Sequence, residues 1–242
     1  MIPVTKHIIF DLDGTLTDQS YIFRMQAEAV AGSFGSRSDL DLAVTGHYQA
    51  IIDAFYAAHD DAVANHPEHR GDLPWYMQHM ARTLDTTIID EEAAALAIEW
   101  KMAHQAAMAD QQLYPDVVEN LERLKAAGCV LYLASGNTKE NRLAILKNLG
   151  IADYFTEVFA AGTIGHQKQQ RAFWDTVLQA LDVPAASLTM VGNQLNDDIL
   201  HPQALGMKTV FIERPGDLAR AETLTTVTPA HKIATLAELQ IT

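Results

Sequence analysis

Two aspartates stand two residues apart in Phe10-Asp11-Leu12-Asp13-Gly14-Thr15-Leu16-Thr17-Asp18. They follow an apolar run, Ile8-Ile9-Phe10. Such a run reads as a buried parallel strand, and Gly14 begins a turn. Open α/β sheets keep their chemistry on loops at strand ends. Neighbouring carboxylates there repel each other, and hard oxygen donors suit a divalent cation such as Mg²⁺. The pair supplies a nucleophile and an acid/base in one loop. On its own it is equally compatible with an ordinary polar turn.

Further chemistry-bearing residues follow later apolar runs. Ser135-Gly136-Asn137 comes after Val130 to Ala134 and offers a hydroxyl and small residues that leave backbone N–H groups accessible. Gly165-His166-Gln167-Lys168 comes after Val158-Phe159-Ala160 and brings a lone lysine at the start of a helix expected from Lys168 to Leu181. Gly192-Asn193 and then Asp197-Asp198 come after Leu188 to Val191. In a parallel sheet these strand ends share one rim. Carboxylates, a hydroxyl and an ammonium that converge there suit a phosphate, with a metal to offset the acids.

The elements that must position them change character along the chain. Residues 19–111 read as helical, in stretches Tyr21 to Phe34, Leu40 to His66, Trp75 to Leu84 and Asp90 to Asp110, broken by turn residues at Arg70-Gly71-Asp72-Leu73-Pro74. From Tyr114 onward strands and helices alternate. The expected helices are Asp116 to Ala127, Lys139 to Leu149, Lys168 to Leu181 and Asp197 to Leu205; a strand at Thr209 to Ile212 follows, then a short strand at His231 to Ile233 and a helix at Thr235 to Leu239. Alternation of this kind implies a parallel sheet covered on both faces, so the fold class is α/β with an all-helical insert after the first strand. Charge divides the chain the same way. Thr17 to Gln111 holds 15 acidic and 5 basic residues, and the remainder 16 and 12.

The 242 residues carry a formal charge of −14, which argues against nucleic acid or an anionic membrane as partner. Cys129 is the single cysteine, so no internal disulfide forms, and its apolar setting predicts a buried thiol. The N-terminal residues lack a signal-peptide layout and no apolar run reaches membrane-spanning length, so a cytoplasmic protein is expected; the expected assembly is a monomer or homodimer. Gly162 to Lys168 lacks the Gly-Lys-Ser/Thr ending of a P-loop. His66-Pro67-Glu68-His69 offers two metal-ligand types, but the proline interrupts helical spacing and no third ligand is evident, so surface histidines are expected.

The four segments, in this order, resemble the haloacid dehalogenase-like superfamily, and within it the phosphatases with a helical cap inserted after the first motif. The tail Ala204-Leu205-Gly206-Met207-Lys208-Thr209-Val210 is similar to that family too. The resemblance implies a Rossmann-like core at 1–17 and 112–242, a cap at 18–111 that chooses the leaving group, and Mg²⁺ as cofactor. It implies Asp11 as nucleophile forming an aspartyl-phosphate and Asp13 as acid and then base. Ser135, Gly136 and Asn137 would bind the phosphoryl group with Lys168. Asp11, the Asp13 carbonyl, Asn193 and Asp198 would face the metal; by spacing Asp198 is preferred over Asp197. The substrate implied is a small phosphorylated metabolite. Tyr21, Arg24, Trp75, Tyr76, His79 and Arg82 are candidate substrate contacts in the cap. Asn193 departs from the Gly-Asp that opens the family's fourth motif, which removes a charge from the metal site. Asn at that place is shared with the family's dehalogenases, but those lack an acid at the Asp13 position. A phosphomutase, a 2-haloacid dehalogenase and a non-catalytic binder of phosphorylated ligands remain as alternatives.

Overall fold

Ile8, Ile9 and Phe10 are wholly buried because the strand that carries them has a sheet neighbour on each side and helices on each face. The computed structural model describes residues 2–37, 47–69, 71–214 and 227–241. In chain order the strands are β1 (Ile2–Val4), β2 (His7–Phe10), β3 (Val130–Ser135), β4 (Phe155–Ala160), β5 (Leu188–Gly192), β6 (Lys208–Ile212), β7 (Lys232–Ile233) and β8 (Leu239–Ile241). The helices are α1 (Gln19–Gly35), α2 (Tyr48–Ala64), α3 (Leu73–Thr83), α4 (Asp90–Ala109), α5 (Val117–Ala126), α6 (Lys139–Asn148), α7 (Ala161–Ile164), α8 (Arg171–Leu181) and α9 (His201–Ala204).

Six parallel strands form the main sheet in the order β4-β3-β2-β5-β6-β7. Side chains alternate across a strand, and the apolar runs divide accordingly. Ile8, Phe10, Leu131 and Leu133 pack on one face with Val117, Leu121 and Leu124 of α5 and Leu146 of α6. Ile9, Tyr132, Ala134 and Met190 pack on the other with Phe173, Trp174 and Val177 of α8. This is the α/β class with helices on both faces. The chain departs from β2 towards β3 on one side and β5 on the other, which makes the β2 end a topological switch point.

The chain forms two compact units, one ending at Asp18 and resuming at Gln112, the other spanning Gln19–Gln111. Exit and return run side by side in the first unit: Asp18 N donates to Gln112 O at 2.9 Å and Tyr114 N to Leu16 O at 3.0 Å. In the second unit α1 packs on α2 and α4, and α3 on α2 and α4. Its core includes Phe34, Ile51, Ile52, Met77, Met80 and Trp100. Asp72 caps α3 by accepting from Trp75 N, with Pro74 in the first turn, where its missing N–H costs nothing. Among its described residues no strand occurs.

Several expectations need correction. The helix expected from Leu40 begins at Tyr48 in the described part, and residues 40–46 and Arg70 lie outside the described residues. Lys168 does not open a helix; α8 starts three residues later, and Lys168 occupies the preceding loop. The helix expected at Asp197 to Leu205 is a π-helix, Leu195–Leu200, that passes into the short α9. The final helix is a single 3₁₀ turn, Leu236–Glu238, followed by β8. β8 pairs with the unforeseen β1 in a separate two-stranded sheet. Tyr76 is a core residue, wholly buried among Ala58 and Ala62. His66, His69 and His79 gather around Trp75 with ring centroids 5.6, 5.0 and 4.9 Å away, and take Asp61, Glu68 and Asp72 as partners. No group of three or more His, Cys, Asp or Glu among the described residues is placed to hold a metal. Cys129, by contrast, is buried as its apolar setting predicts, and burial pushes its thiol up.

Candidate active site

Asp11 is the first residue beyond β2, and its N–H donates to Val191 O of β5 at 3.0 Å, so the sheet ladder fixes its backbone. Gly14, at φ 81°, turns the chain back, and the N–H groups of Leu16 and Thr17 both reach Leu12 O at 2.9 Å. This tight loop holds Asp11 and Asp13 on successive positions of one rim. Arg214 clamps the loop from behind. Its Nη2 donates to Thr15 O at 2.7 Å, its Nη1 lies 2.9 Å from both carboxylate oxygens of Asp116, and it stacks 4.2 Å from the Tyr114 ring. Nothing in the local sequence around Arg214 singles it out; the run of chain that supplies it is far from the loop it holds.

The centre of the site is Lys168. Its side chain is 5% exposed, and its ammonium lies 2.6 Å from Asp11 Oδ1 and 2.6 Å from Asp198 Oδ1. It also donates to Ala134 O at 3.2 Å, which ties it to the end of β3. The Trp174 indole holds the Lys168 backbone by donating to its carbonyl at 2.8 Å. Burial raises the Asp11 carboxyl, opposed by the Lys168 ammonium and reinforced by the Asp198 and Asp13 charges, to about 7. Asp198 is raised by burial as well, again against the pull of Lys168. For Lys168 burial works against the charge, but the Asp11 and Asp198 carboxylates outweigh it and hold the ammonium above its ordinary value.

Asp198 reaches this position because Gly192 has no side chain. A Cβ at Gly192 would overlap the Asp198 carboxyl group. Asp198 Oδ2 accepts from Gln194 N at 3.0 Å. Its Oδ1 is buried and ion-paired to Lys168 without a well-directed hydrogen bond. Asp197 is only partly buried, on the same π-helix. Asn193 lies beside the first loop, with its Oδ1 3.5 Å from Thr15 Oγ1.

Ser135 ends β3 beside Ala134. Its hydroxyl is buried and has no hydrogen-bond partner, an arrangement that proteins rarely leave without a purpose. Gly136 is partly buried, and Asn137 is exposed with φ 61°, where it accepts from Gly162 N through its carbonyl. Asp11, Lys168 and Asp198 are thus in direct contact at the ends of β2 and β5, with Lys168 entering from the loop after α7; Asn137 is exposed, and Asn193 reaches only Thr15 among the described residues. Arg142, on α6, was not foreseen. Its Nη2 pairs with Asp13 Oδ2 at 2.9 Å and its Nε donates to Gly136 O at 3.0 Å.

The donors suit a hard cation. Asp11 and Asp198 carboxylates flank one ammonium, Asp198 keeps a buried oxygen without a directed hydrogen bond, and the Asn193 side-chain oxygen stands beside the first loop. Since no three acidic or imidazole side chains converge among the described residues, such a site must draw on the neutral oxygens as well.

A six-stranded parallel sheet in this order, with a carboxylate pair on the loop after β2 and a helical insert beyond it, defines a Rossmann-like α/β protein with its chemistry at the strand ends. The model of the haloacid dehalogenase-like hydrolases matches residues 5–206, and the chain belongs to that family. It is a hydrolase. A relative in Halopiger xanaduensis, ribulose-1,5-bisphosphate 5-phosphatase, is 32% identical over 138 residues, which cover 55% of this chain and 58% of the relative. A glyceraldehyde 3-phosphate phosphatase of Methanothermobacter thermautotrophicus is 22% identical over 217 residues, 90% of this chain and 88% of the relative. In fold, the putative HAD-hydrolase YfnB from Bacillus subtilis bound to magnesium superposes with a TM-score of 0.68 at 16% identity, over 97% of this chain and 96% of that one. No helix among the described residues is long and apolar enough to cross a membrane.

Proposed function

We propose that this protein is a Mg²⁺-dependent phosphatase that hydrolyses a small phosphate monoester through an aspartyl-phosphate on Asp11. The carrying observation is the buried Asp11–Lys168–Asp198 cluster beside the unpartnered Ser135 hydroxyl. A buried ammonium between two carboxylates holds a nucleophile in place and presents positive charge where phosphoryl oxygens gather. The Ser135 hydroxyl and the N–H groups of Gly136 and Asn137 take the remaining phosphoryl oxygens.

Asp11 attacks phosphorus as the bond to the alcohol oxygen breaks. Asp13 gives that oxygen its proton, and then takes a proton from the water that hydrolyses the aspartyl-phosphate. Asp11, Asp198, Asn193 and the Asp13 carbonyl would hold Mg²⁺, which neutralises phosphoryl charge when bound. The relatives named as phosphatases of ribulose 1,5-bisphosphate and glyceraldehyde 3-phosphate support a phosphorylated sugar or similar metabolite as substrate. Residues 18–111 serve as a cap that selects the alcohol, with the core at 1–17 and 112–242.

Hydrolysis of p-nitrophenyl phosphate and of a sugar-phosphate panel, with and without Mg²⁺, tests this reading. The parent is expected to release phosphate only with Mg²⁺, and Asp11→Asn to release none. Equal activity of Asp11→Asn and parent would refute it. Asp13 favours the phosphatase over a dehalogenase, because an alkoxide needs a proton on leaving and a halide does not. Chloride release from 2-chloropropionate, with no phosphate release, would reverse that choice.

A further inference from the structure

Arg142 sits on the first turn of α6, seven residues beyond Ser135, and its side chain is 8% exposed. Its guanidinium bridges two loops of the site. Nη2 lies 2.9 Å from Asp13 Oδ2, and Nε donates to Gly136 O at 3.0 Å. Nη1 is buried without a hydrogen-bond partner. Burying a guanidinium costs several kcal/mol unless its donors are satisfied, and a cation kept only for stability would be fully bonded. This one is only partly bonded, and its ionic partner is Asp13. The Asp13 side chain is 23% exposed, so the carboxyl that Arg142 holds is open to solvent.

We infer that Arg142 is a positioning residue for Asp13: it holds Oδ2 of the carboxyl group that protonates the leaving alcohol, and it ties that oxygen to the phosphate-binding loop through Gly136. The inference rests on the phosphatase reading given above. In the first chemical step an Asp11 oxygen forms a bond to phosphorus while the bond from phosphorus to the ester oxygen breaks. The electron pair goes to the ester oxygen, which receives the Asp13 proton. The carboxylate left behind remains paired with Arg142. Because Nε and Nη2 belong to one rigid, planar guanidinium, the Asp13 oxygen is held in a set position relative to Gly136 O, which a lysine ammonium does only in part. Misplacement of an acid by about 1 Å costs on the order of a hundredfold.

A structural role and a positioning role differ in their dependence on the leaving group. A p-nitrophenolate departs without a proton at neutral pH, whereas phenolate and p-methylphenolate gain from one. The experiment is kcat/KM for parent, Arg142→Gln and Arg142→Lys on p-nitrophenyl, phenyl and p-methylphenyl phosphate with Mg²⁺. These esters are similar in size, and kcat/KM reports only steps up to transfer to Asp11. Arg142→Gln is expected to lose at least about tenfold on phenyl and p-methylphenyl phosphate and under about threefold on p-nitrophenyl phosphate. Arg142→Lys, which keeps the charge, is expected to recover part of the loss on the poorer leaving groups. The ratio between esters is internal to each preparation, so partial misfolding of a variant does not disturb it. An equal loss on all three esters, or none on any, overturns the role of Arg142 while leaving the phosphatase reading intact. A parent that releases phosphate neither from these esters nor from the sugar-phosphate panel overturns both.

Discussion

Replacing Lys168 by Met removes the ammonium that separates two buried carboxylates while keeping most of the side-chain volume. At 2.6 Å each contact is worth about 6 kcal/mol at an effective dielectric constant of about 20. Desolvation of three charges offsets most of that sum. Removing the cation alone leaves uncompensated charge, and the expected loss of stability is about 3–5 kcal/mol at pH 8. The loss has a definite pH dependence. Asp11 already titrates near 7 with the ammonium present, and Asp198 is raised too, so lowering the pH to 5 lets the exposed charge disappear by protonation. The penalty is then expected to shrink to about 1–2 kcal/mol, the scale of the lost packing and the lost bond to Ala134 O. Urea unfolding of parent and Lys168→Met, followed by Trp174 fluorescence with Trp75 and Trp100 replaced by Phe, measures both values. Trp174 is a fitting reporter because its indole is bonded to the Lys168 carbonyl. A penalty below about 1 kcal/mol at pH 8, or one that does not change between pH 8 and pH 5, would refute the reasoning.

Asp11 also makes the parent's own stability pH-dependent. Its folded carboxyl titrates at about 7 against 3.8 for the ordinary group, so between those values the folded state binds a proton that the unfolded state has lost. Stability in metal-free buffer should therefore fall as pH rises from about 4 through 7, by up to about 4 kcal/mol, and Asp11→Asn should flatten that slope in urea titrations. Gly192→Ala should displace the Asp198 carboxyl, lower kcat/KM at least about tenfold and cost about 2 kcal/mol by thermal melting. Asn193→Asp adds a carboxylate oxygen beside the first loop and should tighten Mg²⁺ binding several-fold by titration calorimetry, because ligand charge sets affinity for hard cations.

The apolar runs at Ile8 to Phe10, Val130 to Ala134 and Leu188 to Val191 were legible because a parallel strand buried on both faces needs continuous hydrophobicity. The loops that follow them were legible because polar residues directly after such a run must lie at a sheet rim. Helix limits were legible where a stop signal exists, as at Gly128 and Gly150, which take φ 82° and 71° just beyond α5 and α6. β1 and β8 were not: Ile2-Pro3-Val4 is too short for a period, and each strand exists only because the other end of the chain pairs with it. The loop placement of Lys168 and the π-helix at Leu195–Leu200 were hidden for a related reason. Local helix preference there yields to the need to bring Lys168 and Asp198 to one point.

The sequence by itself determined the residue types of the site, their order, and the strand ends that carry them, because burial and loop chemistry are written locally. Only the tertiary structure decided how those groups pair. The Lys168 ammonium serves Asp11 and Asp198 together, Arg142 holds Asp13, and Arg214 braces the loop that bears both aspartates. Those pairings depend on strand order and on side-chain direction across long stretches of chain. Neither is contained in any local pattern, because the energy that selects them is released only when separate elements meet.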